Sequence, residues 1–192
     1  MSEDEKLTTG QHRFIHEAQS RLRNALEAGK TSGRVSQDAS LHLFVNPTLK
    51  DESLQGSVEL RFSSGRRPRP EYLVFISPSS IGDWSVIRHE AGHVFAGHPE
   101  KGLSSSRLAS TGNFPDYVVR ELKADIVSRR AARNLPYLCD DLVHLIGDGI
   151  YTFGLDCKTA FDIVKTGARK LKVPYSAIKQ ARRQLVERGL ME

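Results

Sequence analysis

The order of apolar and polar residues predicts one amphipathic helix, then three short strands, and then a second half that is mainly helical. Apolar residues recur at helical spacing over 11–28, and a Gly-Lys-Thr-Ser-Gly stretch then ends the pattern. Three β-type runs follow at 41–45, 57–62 and 71–76, each bounded by turn-forming residues. We therefore expect an α+β fold with a small, mostly antiparallel sheet packed on helices.

Helical periodicity returns after the strands and continues to the end of the chain. Asp83 precedes the first of these patterns and is a suitable N-cap, and Pro115 falls in the first turn of the next helix. We expect a first domain over 1–136 and a helical, basic C-terminal subdomain over 137–192, packed on it. The helices predicted after the sheet are 84–98, 117–134, 157–171 and 175–188.

Length and composition are those of a globular protein with a sizeable core. The 192 residues are 39% hydrophobic and 27% charged, and no apolar run approaches the roughly 18 to 20 residues of a membrane-spanning helix. The N-terminus is acidic and polar, unlike a secretion signal. Cys139 and Cys157 are too few for a disulfide scaffold and form no CxxC motif. We expect a cytoplasmic protein with free thiols, no membrane contact and no cysteine ligands to metal.

The net charge of +5 is unevenly distributed along the chain. Residues 158–192 contain nine of the 28 Lys and Arg residues and three of the 23 Asp and Glu residues. The rest of the chain therefore contains 19 basic and 20 acidic residues. The basic character therefore belongs to the C-terminal helices, and the nearly neutral body carries no signal for an anionic substrate.

The strongest chemical signal is the HExxH sequence His89-Glu90-Ala91-Gly92-His93 on a predicted helix. A spacing of four places the two imidazoles one turn apart on one face, where both can bind one zinc ion. Glu90 lies about 100° further round and can reach a water molecule at the open position of the metal. The metal lowers the pKa of that water and Glu90 accepts its proton, which produces a hydroxide able to attack a peptide carbonyl.

A catalytic zinc ion needs a third protein ligand, and the next helix offers carboxylates. Glu121 and Asp125 are four residues apart on one face, so one can bind the metal while the other accepts a hydrogen bond from a ligating imidazole. We expect Glu121 to be the ligand because its side chain is longer, with Asp125 supporting a histidine. The alternative is a solvated helix face on which both are paired with Arg120 and Lys123. The other candidate ligands are His98, Glu100 and Asp116.

The combination of HEAGH on one helix and ELKAD on the next, after a short sheet, resembles the gluzincin-type zinc metallopeptidases. The resemblance is closest to the soluble ImmA/IrrE-like group and covers roughly residues 70–136. It implies that His89, His93 and Glu121 bind zinc, that Glu90 is the catalytic base and that Asp125 supports a ligand. It also implies activity directed at a regulatory protein.

Two other metallopeptidase families share parts of this pattern. His98 would match the HExxHxxxxH variant of the HtpX-type enzymes, but those enzymes have membrane spans that this sequence lacks. HEAGH is also similar to the motif of the FtsH-type proteases, but their large ATPase domain is absent from these 192 residues.

A peptidase of this class also needs a group that stabilises the tetrahedral oxyanion. The residue pattern does not identify it, because tyrosines and histidines are more often ordinary buried or hydrogen-bonded residues than catalytic ones. The candidates are Tyr117, Tyr151, His144 and His98.

The last two predicted helices are joined by a turn at Val173-Pro174 and resemble a helix-turn-helix with a basic second helix. The residues that would contact nucleic acid are Lys179, Arg182 and Arg183. A solvated helical subdomain is favoured over this interpretation because no base-reading pattern is present, and an acidic protein partner is a third alternative.

Two functions therefore remain open. The first is a zinc-dependent metallopeptidase that acts on a protein or peptide substrate. The second is a regulatory DNA- or protein-binding module in which the zinc-site fold is structural or inactive. The intact Glu90 favours catalysis, because a structural zinc site is usually closed by a fourth protein ligand and has no use for an unligated base.

Overall fold

A computed structural model of the chain describes residues 7–47, 56–64, 67–99, 112–132 and 138–192, with the backbone alone over 127–132. The described residues form six α-helices and one three-stranded sheet, which confirms the predicted α+β fold. The chain divides into two compact units, 1–101 and 102–192.

The first unit begins with helix α1, Thr9–Thr31, which extends the predicted helix by a few residues at each end. Thr8 caps it: its side chain accepts a hydrogen bond from the Gln11 amide, and the Gln11 side chain accepts one from the Thr8 amide. The apolar face of α1 is buried in the core of this unit. Its buried residues are Phe14, Ala18, Leu22, Leu26 and Gly29.

The three predicted strands are present as β1 (Ser40–Val45), β2 (Gly56–Phe62) and β3 (Pro70–Ile76). Their order is β1-β3-β2, with β3 antiparallel to β2 and parallel to β1. The sheet is thus mixed, where a mostly antiparallel one was expected. The spacing of apolar residues along a strand indicates which of its faces are buried, but it does not indicate the direction of the neighbouring strand. The parallel pairing of β1 with β3 therefore could not be predicted from the sequence pattern.

Helix α2, Trp84–Ala96, carries the HExxH sequence. A short 3-10 turn at Pro78–Ser80 connects it to the central strand β3. Asp83 is the predicted N-cap and accepts a hydrogen bond from the Ser85 amide at 2.7 Å. Helix α1, the sheet and α2 share one apolar core, so α2 is held in place along its buried face.

The described part of the second unit contains four helices, α3 (Phe114–Ala132), α4 (Leu138–Tyr151), α5 (Cys157–Lys170) and α6 (Tyr175–Glu187). Pro115 lies in the first turn of α3, and α5 and α6 match the two predicted C-terminal helices within one residue at each end. Val118, Leu122 and Ile126 of α3 are buried in one core with α4, α5 and α6. This packing explains why the compact units divide near 101, whereas the sequence indicated a boundary at 136.

None of the helices in the described ranges is both long enough and apolar enough to cross a membrane.

Candidate metal centre

The two histidines of the HExxH sequence project from α2 toward the same point. His89 and His93 are one turn apart, and their Nε2 atoms are 3.0 Å from each other. Two nitrogens that bind one zinc ion at tetrahedral angles lie about 3.3 Å apart, since each Zn–N bond is about 2.0–2.1 Å. The observed separation is close to this value, so the pair is arranged as two ligands of one ion.

One group of His, Cys, Asp and Glu side chains in the described ranges can hold a metal ion, and it consists of His89, His93 and Glu121. Each side chain offers one ligand atom, and these atoms all lie within 4.8 Å of one another. His93 and Glu121 are buried and His89 is half-buried. The structure thus brings together the three predicted ligands, and two imidazoles with one carboxylate are a donor set that suits zinc.

Glu90 follows His89 on α2 and is buried, with 4% of its surface exposed, and it is not a member of the metal-binding group. Its carboxylate lies against Gly56, the first residue of β2. A Cβ atom at this glycine would be 2.8 Å from Glu90 Oε1 and 2.8 Å from Val86 Cγ1. A larger residue here would therefore force the Glu90 or Val86 side chain to move.

Glu121 lies next to Arg120 on α3, and both side chains are buried. Arg120 Nη1 is 3.6 Å from Glu121 Oε1, and only 4% and 6% of the two residues are exposed. The alternative of a solvated helix face is thus wrong for these two residues, although Lys123 is exposed. Asp125 is half-buried one turn after Glu121, and its support of a ligating histidine stays a prediction.

His98 and Asp116 are the other ligand candidates among the described residues, and neither is a member of the metal-binding group. Asp116 is exposed at the start of α3, where its carboxylate accepts a hydrogen bond from Asn113 Nδ2 at 2.8 Å. Glu100 lies outside the described residues. His98 is buried, and its Nδ1 is 2.9 Å from Nδ1 of His93.

The contact between His98 and His93 was not anticipated from the sequence. The two residues are five apart, which is not a same-face spacing within one helix. The contact exists because α2 ends at Gly97, a glycine that follows the helix and could have indicated the turn.

Of the four candidates for oxyanion stabilisation, His98 belongs to the first unit, and Tyr117, His144 and Tyr151 are dispersed in the second. Tyr117 donates its hydroxyl hydrogen to Asp148 Oδ2 at 2.9 Å, and burial followed by the negative charges of Glu121 and Asp148 raises its pKa far above the usual range. The His144 side chain is exposed, 3.9 Å from Asp148, and Tyr151 is 83% exposed. Tyr117 is one turn from Glu121 on α3, whereas His98 directly contacts the predicted ligand His93.

The three basic residues proposed to contact nucleic acid are exposed on α6 or at its end. Lys179 Nζ lies 5.6 Å from the centre of the Tyr175 ring, Arg182 donates to the Glu192 carbonyl at 3.2 Å, and Arg183 pairs with Glu187 at 2.8 Å. Val186 of α6 is 44% exposed. Contact with DNA or with an acidic protein stays a prediction.

Comparison of the chain with models of protein families, with curated proteins and with solved structures finds no match in any of the three. What can be inferred about its function therefore depends on the residues and their geometry.

Proposed function

We propose that the chain is a zinc-dependent metallopeptidase, similar to the gluzincins of the ImmA/IrrE-like group, that cleaves a regulatory protein. The observation that carries the proposal is the position of three ligand atoms, from His89, His93 and Glu121, within 4.8 Å of one another. Glu90 supplies the remaining functional group, since it is the unligated carboxylate of the same HExxH sequence.

The residues present fit a catalytic zinc ion better than a structural one. Structural zinc sites are usually closed by four protein ligands, whereas catalytic sites have three and leave one position for water or substrate. The described residues supply three ligands, and neither cysteine belongs to the group. A zinc ion bound here would lower the pKa of a coordinated water molecule to about 7 and polarise the substrate carbonyl.

In this proposal Glu90 is the proton carrier of the reaction. Its carboxylate accepts a proton from the attacking water and later donates it to the departing amine, so that the peptide bond is hydrolysed and Glu90 returns to its initial state. The carboxylate lies against Gly56, where a Cβ atom would be 2.8 Å from Glu90 Oε1.

The proposal is tested by pairing metal analysis with a Glu90→Gln variant. We expect about one zinc ion per chain in both proteins, because Glu90 is not a ligand. Both are then incubated with a proteome-derived peptide library, and new N-termini are identified by mass spectrometry. New termini should come from the wild type only. Failure of the wild type to retain zinc after reconstitution, or equal cleavage by the variant, would overturn the proposal.

The identity of the third ligand is tested separately. Glu121→Ala should weaken zinc binding strongly, whereas Asp125→Ala, one turn away on the same helix, should have a smaller effect of about 10- to 100-fold as a residue that supports a ligand. Competition with a chromophoric chelator measures both affinities. The reverse order would show that Asp125 is the ligand.

A further inference from the structure

We propose that His98 is a positioning residue that holds the ring of His93 in the orientation and tautomer needed to bind metal through Nε2. This inference depends on the proposed metal site. The Nδ1 atoms of the two rings are 2.9 Å apart, and both residues are buried. The Nε2 atom of His93 lies on the other side of its ring, 3.0 Å from Nε2 of His89.

The two nitrogens of His93 thus have different partners, and this difference determines the tautomer. A histidine that binds metal through Nε2 carries its hydrogen on Nδ1 and can donate it. Nδ1 of His98 is then the acceptor, which requires the hydrogen of His98 to be on its own Nε2. A hydrogen bond of this kind fixes the ring of a metal ligand and makes the ligating nitrogen more basic.

The end of α2 explains how His98 reaches this position. Gly97 adopts a left-handed conformation with φ 63°, and the amide of His98 donates to the carbonyl of His93 at 3.2 Å. A Cβ atom at Gly97 would be 2.1 Å from the carbonyl oxygen of Arg34. Glycine is therefore required both by the backbone angle and by the close approach, and the resulting turn carries His98 back against the helix.

The same geometry argues against His98 as a third ligand. The lone-pair directions of Nδ1 and Nε2 diverge around an imidazole ring, so a group that contacts Nδ1 of His93 cannot share an ion bound at Nε2. The ring planes of the two residues are at 65° with centroids 5.1 Å apart, an edge-to-face arrangement.

The proposal is tested by measuring zinc affinity in His98 variants by chelator competition. His98→Phe keeps a ring of similar size but removes the acceptor, and should weaken zinc binding by about 10- to 100-fold. His98→Asn places a carbonyl oxygen near the position of Nδ1 and should recover most of the lost affinity. His16→Phe, at an exposed position of α1, is the matched control and should bind zinc like the wild type.

Unchanged affinity in a folded His98→Phe protein would overturn the positioning role while leaving the proposed metallopeptidase intact. Absence of zinc binding by the wild type would overturn both. A second measurement needs no substitution: long-range ¹H–¹⁵N correlation spectra of the zinc-loaded wild type should show His93 protonated at Nδ1 and bound through Nε2. Binding through Nδ1 of His93 would refute the inference even if the His98 variants failed to fold.

Discussion

Gly56 keeps space open for the Glu90 carboxylate, and replacing it with alanine tests that relation directly. The added methyl group would lie 2.8 Å from Glu90 Oε1, 2.8 Å from Val86 Cγ1 and 3.2 Å from Glu90 Cγ. Contacts below 3.0 Å cannot persist, so α2 side chains must move. We expect Gly56→Ala to lower the free energy of unfolding by about 1–3 kcal/mol, the usual cost of overpacking.

The origin of this cost can be isolated with a double-mutant cycle. In a Glu90→Ala background two of the three close contacts disappear and only Val86 Cγ1 remains, so the cost of Gly56→Ala should fall by at least about 0.5 kcal/mol. Gly10→Ala is the control in the same unit, because a Cβ there has no neighbour nearer than Thr8 Oγ1 at 3.9 Å. It should be neutral or slightly stabilising.

The assay is urea unfolding followed by the fluorescence of Trp84, the only tryptophan in the chain. Trp84 is a local reporter of the first unit, since its ring is 4.5 Å from that of Phe14 on α1 and Arg21 lies over it at 4.1 Å. An equal cost of Gly56→Ala in both backgrounds, or no cost at all, would refute the proposed contact between this glycine and the carboxylate.

Three further predictions concern the second unit. Gly147→Ala should stabilise it by about 0.5–1 kcal/mol, because no atom lies within 4 Å of the new Cβ. Gly149→Ala should destabilise it by about 1–3 kcal/mol, because its Cβ would be 2.7 Å from Phe114. Circular dichroism in urea measures both changes in stability, and equal effects would contradict the packing of α4. Hydrogen bonds at the start of α5 hold the pKa of Asp156 below its usual range. The stabilising effect of Asp156 is therefore present above the ordinary Asp pKa of about 3.9 and is lost as the pH falls through the lower folded-state value. The difference in stability between wild type and Asp156→Ala should shrink toward pH 2, and a constant difference would disprove the linkage. Burial and, to a smaller extent, the negative charge of Asp156 raise the pKa of Cys157. Iodoacetamide should therefore label this thiol more slowly at pH 8 than it labels a cysteine in an unfolded peptide. Site-resolved mass spectrometry measures both rates, and equal rates would be inconsistent with this environment.

The sequence predicted most of the secondary structure and all three members of the metal-binding group. The apolar periodicity located α1 and all three strands to within three residues, and Asp83 is the N-cap that its position before the HExxH helix indicated. His89 and His93 converge because four residues make about one helical turn, which is a property of the sequence interval itself.

The parts that were missed depend on how the folded chain places its residues, which local patterns do not encode. The parallel pairing of β1 with β3 is decided by the path of the chain and not by strand composition. Burial of Arg120 beside Glu121 could not be read from a helix whose charged residues look solvated. The contact of His98 with His93 follows from a left-handed turn at Gly97, a conformation that an isolated glycine permits but does not require.

The mixed sheet also has a consequence for the order in which the protein assembles. Ser40 of β1 pairs with Glu71 of β3, 31 residues later in the chain, whereas α2 can bring His89 and His93 together as soon as one helix forms. Pairing between residues distant in the chain is slow. We therefore expect the two histidines to come together early in refolding and the contact of Gly56 in β2 with Glu90 to form late. If the proposed metallopeptidase function is correct, metal binding by the histidine pair would precede the placement of Glu90 and so the acquisition of activity.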